Sequence, residues 1–261
     1  MIQWDVKRGV RHMNDKIVEE LINKYIDIKN RGWICSTRSH NTGIGKTFED
    51  LLGKKEDNLS EPDYKGIEIK TKRQFSNSYT TLITKSPEGN ESNQNTRLRL
   101  TYGHIEINNN QQTLHASVFA NRKTVYFNTY QFKIDVDRQN EKIFLEVYDM
   151  DNNLLEKEVY WKFSVLKKKL IQKLKRMALI HGNSKKIDNT EYFEFKKIQV
   201  YDFTDFEKFL KAIEKGKIMI DLRIGYYKSG KNIGKTHDHG TGFRIKASDI
   251  LELFTLIEEK E

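Results

Sequence analysis

The stretch PDYKGIEIK, residues 62–70, decides how this chain is read. The chain has only two prolines, and one of them, Pro62, stands directly before Asp63. Beyond it, KGIEIKTK (65–72) alternates apolar and polar residues, the period of a β-strand. Successive side chains on a strand face opposite ways, so Ile67 and Ile69 point to a core while Glu68 and Lys70 share the other face. The proline restricts the approach of the chain and helps hold the Asp63 carboxylate in place. Two carboxylates converging on one point suit a hard cation such as Mg²⁺, which takes oxygen ligands in octahedral geometry. A lysine beside them can orient or deprotonate a water, or neutralise charge developing on a phosphate. Asp63, Glu68 and Lys70 are therefore the residue types that metal-assisted phosphodiester hydrolysis needs. Glu49, in the segment before, offers a third carboxylate. The same pattern also describes a solvated strand face with a cross-charge pair, and the residues alone leave both readings open.

The totals set the frame. A chain of 261 residues, 37% hydrophobic and 32% charged, can bury a sizeable core in one large domain or two lobes. No apolar run approaches the roughly 20 residues that span a bilayer, and MIQWDVKRGV at the start has no long apolar stretch, so neither a membrane segment nor a secretory signal is expected. A single cysteine, Cys35, rules out an internal disulfide and a cysteine-based zinc site, which fits a reducing cytoplasm. The formal charge of +9 suits a polyanionic partner such as nucleic acid, and equally a soluble protein that happens to be basic.

Along the chain, residues 14–30 carry Ile17, Leu21, Ile22, Tyr25 and Ile28 at helical spacing. Gly43 and Gly45 read as loop, and KTFEDLLG as a short helix ended by Gly53. Residues 86–96 have loop composition. YQFKIDV, KIFLEVYD and LLEKEVYW, separated by turn-like segments, read as an antiparallel meander. Residues 163–180 read as a helix with Phe163, Leu166, Leu170, Leu174 and Met177 as its apolar stripe. Its basic residues Lys167, Lys168, Lys169, Lys173, Lys175 and Arg176 form a solvated face with scope for phosphate contact, as does Lys85. TDFEKFLKAIEKGK opens with a capping box of Thr204 and Glu207 and closes at Gly216. KIMIDLRIGYY is a strand with Met219, Asp221 and Arg223 on one face, and GFRIK and a last helix from Ser248 follow. Tyr126, Phe127, Tyr192 and Phe193 read as core. Mixed helices and strands predict an α/β or α+β fold.

Two motifs mislead. IGKT occurs at 44–47 and 233–236, but a phosphate-binding loop needs a further glycine where His40 and Ser229 stand. HDH at 237–239 reads as a surface loop rich in donors and acceptors rather than as metal ligands.

Several blocks share a further feature. NTGIGKTFEDLLG (41–53) and PDYKGIEIKTK (62–72) resemble the PD-(D/E)XK nucleases of the MutH-like branch. TLITKSP, NRKT, FKIDVD, VYW and IDLRIGYYKSGKNIGKTHDHGTGFRI (220–245) narrow the resemblance to type II restriction endonucleases of the MvaI/BcnI group, on its MvaI side. The resemblance covers Asn41 to Ile245 in order. It implies a mixed sheet flanked by helices and a two-lobed monomer with a DNA cleft, with a catalytic lobe at 1–155 and a recognition lobe at 156–261. It implies Mg²⁺-dependent hydrolysis of double-stranded DNA at a short interrupted site of the CC-N-GG kind, CCWGG foremost, one strand at a time, leaving 5′-phosphates. By position, Asp63 and Glu68 would bind the metal, Lys70 would place the attacking water, and Glu49 would stand near. Asp221, Arg223, His237, Asp238, His239 and Arg244 would contact bases. A cognate DNA methyltransferase would be the genetic partner. The alternatives carried beside this are a MutH-like, partner-activated nicking enzyme and a non-catalytic DNA-binding protein on the same fold.

Overall fold

The computed structural model describes residues 6–54, 61–90, 93–107, 110–238 and 240–261, with side chains from Lys16 onward. The first segment holds helix α1 (Val6–Lys29), strand β1 (Ile34–Cys35) and helix α2 (Gly43–Leu51). After β2 (Glu68–Arg73) and β3 (Thr80–Thr84) come α3 (Gln94–Tyr102), β4 (His104–Glu106) and β5 (Gln111–Val118). The meander region contains β6 (Thr124–Tyr126), β7 (Tyr130–Asp137), β8 (Lys142–Tyr148) and β9 (Leu154–Lys162). Helix α4 (Phe163–Leu174) leads into the long strands β10 (Arg176–Ile187) and β11 (Thr190–Phe203). The chain ends in α5 (Phe206–Glu214), β12 (Ile218–Tyr226), β13 (Thr236–Asp238), β14 (Gly242–Ile245), a 3₁₀ turn (Ala247–Glu252) and β15 (Phe254–Lys260). The architecture is the mixed α+β class expected. Among the described residues no helix is long and apolar enough to cross a membrane.

Residues 1–77, 172–203 and 254–261 form one compact unit. Its sheet runs β1-β11-β10-β2, with β15 on β11. Strand β2 lies parallel to β10, Met177 opposite Glu68 through Gly182 opposite Arg73. The other pairs are antiparallel. The helical stripe of α1 puts Leu21, Tyr25 and Ile28 against the sheet, where they join Phe48, Ile67, Ile69, Ala178, Ile180, Phe193 and Phe195 in one buried cluster. Phe48 meets Phe195 edge-on, ring centroids 5.0 Å apart. Burial of such side chains stabilises by about 1.5–3 kcal/mol each.

Residues 78–171 and 204–253 form the second unit. One sheet runs β3-β14-β12-β5-β4 with β13 on β12, and the meander β6-β7-β8-β9 is separate. Ile218, Ile220, Leu222 and Ile224 of β12 are fully buried, as their alternation requires. Trp161 donates its indole N–H to the Lys85 carbonyl at 2.8 Å and packs edge-on to Phe243.

These units do not coincide with sequential lobes 1–155 and 156–261. A parallel pair such as β2 and β10 needs a crossover, and here the crossover contains residues 78–171 of the other unit. Other expectations also shift. Gly43 and Gly45 belong to helix α2, and the expected loop 86–96 ends in α3. The helix over 163–180 stops at Leu174, and Met177 to Ile180 are strand. All four are buried, and a short apolar run in a central strand matches helical spacing as well. Helix α5 is capped by Asp205, which accepts from the Lys208 N–H at 2.8 Å, while the Thr204 hydroxyl donates to the Leu253 carbonyl. The last helix expected from Ser248 is instead a 3₁₀ turn followed by the strand β15. Phe127 is 59% exposed rather than core; it lies in the β6–β7 turn with its ring stacked on His104. Tyr192 is half-buried, whereas Tyr126 and Phe193 are core.

Asp205→Ala should cost about 1 kcal/mol in chemical denaturation, the worth of an N-cap, and Thr204→Asp should not recover it.

Candidate active site and nucleic-acid interface

The approach to β2 is a tight turn. Lys65 and Gly66 both have positive φ, +44° and +88°, and Tyr64 and Ile67 exchange backbone hydrogen bonds of 2.9 and 2.7 Å. Only this sharp reversal brings residue 63 back alongside residue 69, and glycine is the residue that takes φ +88° without strain. The Tyr64 hydroxyl and the Lys65 ammonium both donate to Glu20 of α1, which pins the turn. The Ile69 N–H then donates to Asp63 Oδ2 at 3.0 Å, and the Lys54 ammonium pairs with Oδ1. Burial pushes the Asp63 carboxyl up, but Lys54 and the Ile69 amide outweigh it and hold the group below its ordinary value.

Glu68 is 1% exposed. Lys70 donates to its Oε1 at 2.5 Å, and the Lys173 ammonium lies 3.4 Å from the same oxygen. Oε2 is buried and has no hydrogen-bond partner among the described residues. Burial drives the Glu68 carboxyl up, with Lys70 opposing and Asp63 adding to the rise. Glu49 of α2 is raised by burial and then by the Asp63 charge, with Lys54, Lys46 and Lys70 opposing. The four residues singled out in the sequence therefore share one electrostatic environment. Lys54 and Lys173 belong to it as well. Lys173 was grouped with a solvated face; its position just off the apolar stripe of α4 was the signal available. Arg176 of the same basic run pairs with Asp202 at 2.6 Å.

Among the described residues no three His, Cys, Asp or Glu side chains cluster as a metal cage. Magnesium needs only one or two carboxylates and keeps several waters. The orphaned Glu68 Oε2 beside Asp63 fits such an ion, since a buried carboxylate oxygen without a donor is costly unless something binds it.

Beyond Lys70 the same strand face carries the buried Lys72, opposite His181 of β10. His181 shares a 3.2 Å hydrogen bond with Gln199. Burial lowers its pKa, Gln199 opposes, and Lys72 and Lys197 add to the fall.

In the second unit, Asp221 is buried on β12 under two arginines. Its Oδ2 accepts from Arg223 Nε and from Arg244 Nη1, both at 2.6 Å, and its Oδ1 from the Ser117 hydroxyl at 3.3 Å. Arg244 also donates to the Tyr79 carbonyl at 3.1 Å, and its Nε is buried without a partner. The Arg223 side chain is 54% exposed against 7% for Asp221, so one carboxylate aims a guanidinium outward. His115 of β5 stands opposite Arg223 in register, a neighbour with no signal in the sequence. His237 stacks on Tyr227, centroids 4.3 Å apart. Asp238 accepts from Ser86, Asn95 and the Gly240 N–H at 2.6–2.7 Å, so it already serves to hold its loop. His239 lies outside the described residues.

An edge strand carrying Glu68 and Lys70, with Asp63 folded back beside it, is compatible with a nuclease of the restriction-endonuclease class, and the comparisons with known proteins give that class. The MvaI/BcnI restriction endonuclease family model matches residues 22–254, and the chain belongs to that family. It is a type II restriction endonuclease, a site-specific deoxyribonuclease acting on DNA. Among solved structures, a complex of restriction endonuclease MvaI with cognate DNA is 42% identical, with a TM-score of 0.84 over 93% of this chain and 96% of that one. MvaI in the absence of DNA is 41% identical, with a TM-score of 0.62 over 92% and 96%. No curated protein sequence matches the chain.

His181 gives the structure a signature in acid. Its folded pKa lies below the ordinary 6.5, so the unfolded chain takes the proton first as pH falls. The stability it contributes is present above the unfolded value and is lost as pH falls toward the folded one. His181→Gln should therefore lose less of its melting temperature than the wild type between about pH 7.5 and about pH 5.

Proposed function

We propose that the protein cleaves both strands of duplex DNA at a short interrupted site of the CC-N-GG kind, CCWGG foremost, with Mg²⁺ as cofactor and 5′-phosphate ends as product. The observation that carries this reading is the joint placement of Asp63, Glu68 and Lys70 by the Tyr64–Ile67 turn and the buried alternation of β2. Family membership supports the use of a divalent ion. Asp63 and Glu68 would hold it. When bound, such an ion supplies Lewis-acid polarisation of a phosphoryl oxygen and lowers the pKa of a water. Lys70, held at Glu68 Oε1, orients the attacking water and balances charge building on the phosphate. Glu49 adds a carboxylate whose raised pKa equips it to accept and return a proton near the site.

In the second unit, Arg223 offers the terminal nitrogens of its guanidinium, the fork that pairs with guanine O6 and N7. Arg244 adds a second guanidinium on the same carboxylate. Asp221 sets the direction of both and would accept from a cytosine amine, while His237, Asp238 and His239 would contact bases. The DNA complex of MvaI supports duplex DNA as the partner. The enzyme would act as a monomer in the cytoplasm, one strand at a time, with a cognate DNA methyltransferase protecting the host sequence.

The test is digestion of unmethylated DNA with Mg²⁺, followed by sequencing of the ends. Ends at CCWGG bearing 5′-phosphates are expected, with cleavage falling by about a thousandfold or more in Asp63→Ala; intact DNA from the wild type across metals and salts would sink the proposal. Arg223→Ala should weaken specific binding by about 1–3 kcal/mol and spare non-specific binding. Titration of site-containing and site-free duplexes in Ca²⁺ checks this, and an equal loss on both would make Arg223 a phosphate contact.

A further inference from the structure

Two lysines outside the Asp63, Glu68 and Lys70 set sit on its carboxylates. Lys54, the residue after Gly53 at the end of α2, puts its ammonium on Asp63 Oδ1. Lys173, in the last turn of α4, lies 3.4 Å from Glu68 Oε1, the oxygen already bonded to Lys70. These pairs are not ordinary surface bridges, since all four side chains are largely shielded from water. The three acids Glu49, Asp63 and Glu68 face the ammonium groups of Lys54, Lys70 and Lys173, while Lys46, which also acts on Glu49, is paired with Asp50, so positive and negative groups are matched in number. Adding a divalent cation brings two surplus positive charges into this shielded space. Either an ammonium must move away or an anion must enter with the cation. The anion the enzyme's activity brings is the phosphodiester of DNA.

We propose that Lys54 and Lys173 are resident counter-cations of Asp63 and Glu68, keeping divalent metal weakly bound until a DNA phosphate arrives to receive their ammonium groups. This rests on the reading that Asp63 and Glu68 hold the metal. Metal and DNA are then coupled ligands, each tightening the other by the same factor. The two lysines are positioning residues that guard the carboxylates, in contrast to Lys70, which serves the reaction. A purely structural bridge would behave differently, because its loss would loosen the site and weaken the metal.

The experiment titrates full-length protein with Mn²⁺ in the absence of DNA, reading free Mn²⁺ by electron paramagnetic resonance. Lys54→Ala and Lys173→Ala should each bind Mn²⁺ roughly tenfold more tightly than wild type, the size of the water-screened repulsion between a unit charge and a dication about 6 Å apart. Lys54→Arg and Lys173→Arg should bind as wild type does. The enhancement of cognate-duplex binding by Ca²⁺, measured by fluorescence anisotropy, should shrink in the alanine variants by a like factor. Lys54→Met and Lys173→Met keep the aliphatic stem and replace any alanine variant that does not fold. Mn²⁺ affinity that is unchanged or weaker in the lysine variants overturns the inference, provided Asp63→Asn and Glu68→Gln weaken Mn²⁺ binding. If those two leave it unchanged, the metal lies elsewhere, and the assignment of Asp63 and Glu68 fails together with the inference.

Discussion

The parallel pairing of β2 with β10 is the constraint on which the catalytic unit depends. Strand β2 is the last strand on its side of the sheet, and its register is set by that one neighbour. A slip of one residue would turn Ile67 and Ile69 out of the core and drive Glu68 and Lys70 into it. The apolar pair therefore fixes where the carboxylate points. Helix α4 runs directly into β10, so the pairing that orients Glu68 also delivers Lys173 to it. The Tyr64–Ile67 turn, tied to α1 through Glu20, completes the arrangement by folding Asp63 back onto the same strand.

The same economy of charge governs both units. Burial opposes ionisation of Asp63 and Glu68 alike, yet their outcomes diverge. Asp63 receives a backbone amide and an ammonium on different oxygens, and its charged form is favoured. Glu68 has both ammonium groups at one oxygen and nothing on the other, and burial prevails. In the second unit a single buried carboxylate, Asp221, holds two guanidinium groups. A carboxylate can accept about four hydrogen bonds, so two arginines and a serine leave it room for about one more donor.

What was legible in the sequence followed local pattern. The alternation of Ile67 and Ile69 against Glu68 and Lys70, the amphipathic stripe of α1, the meander and the face of β12 all declare themselves within a dozen residues. Block resemblance carried the class of enzyme, which a three-residue set on a strand does not. The misses arose where distant partners decide. Met177 to Ile180 match a helix by spacing and become strand because β2 and β11 flank them. Lys54 and Lys173 lie 9 and 105 residues from the carboxylates they meet, and beyond the place of Lys173 beside the apolar stripe of α4 nothing local marks them. The two units are each discontinuous, which no composition break betrays.

That discontinuity has a temporal side. The segment with Asp63 and Glu68 leaves the ribosome well before Met177, and at about 5–20 residues per second the gap is on the order of 5–20 s. During that interval β2 has no sheet partner, and β15 arrives only after all of the second unit has been made. A nascent chain therefore holds the residues of a DNA-cutting centre long before it holds the strand that aligns them. Premature termination between Glu68 and β10 leaves a chain with the acids of a nuclease and without the strand that aligns them.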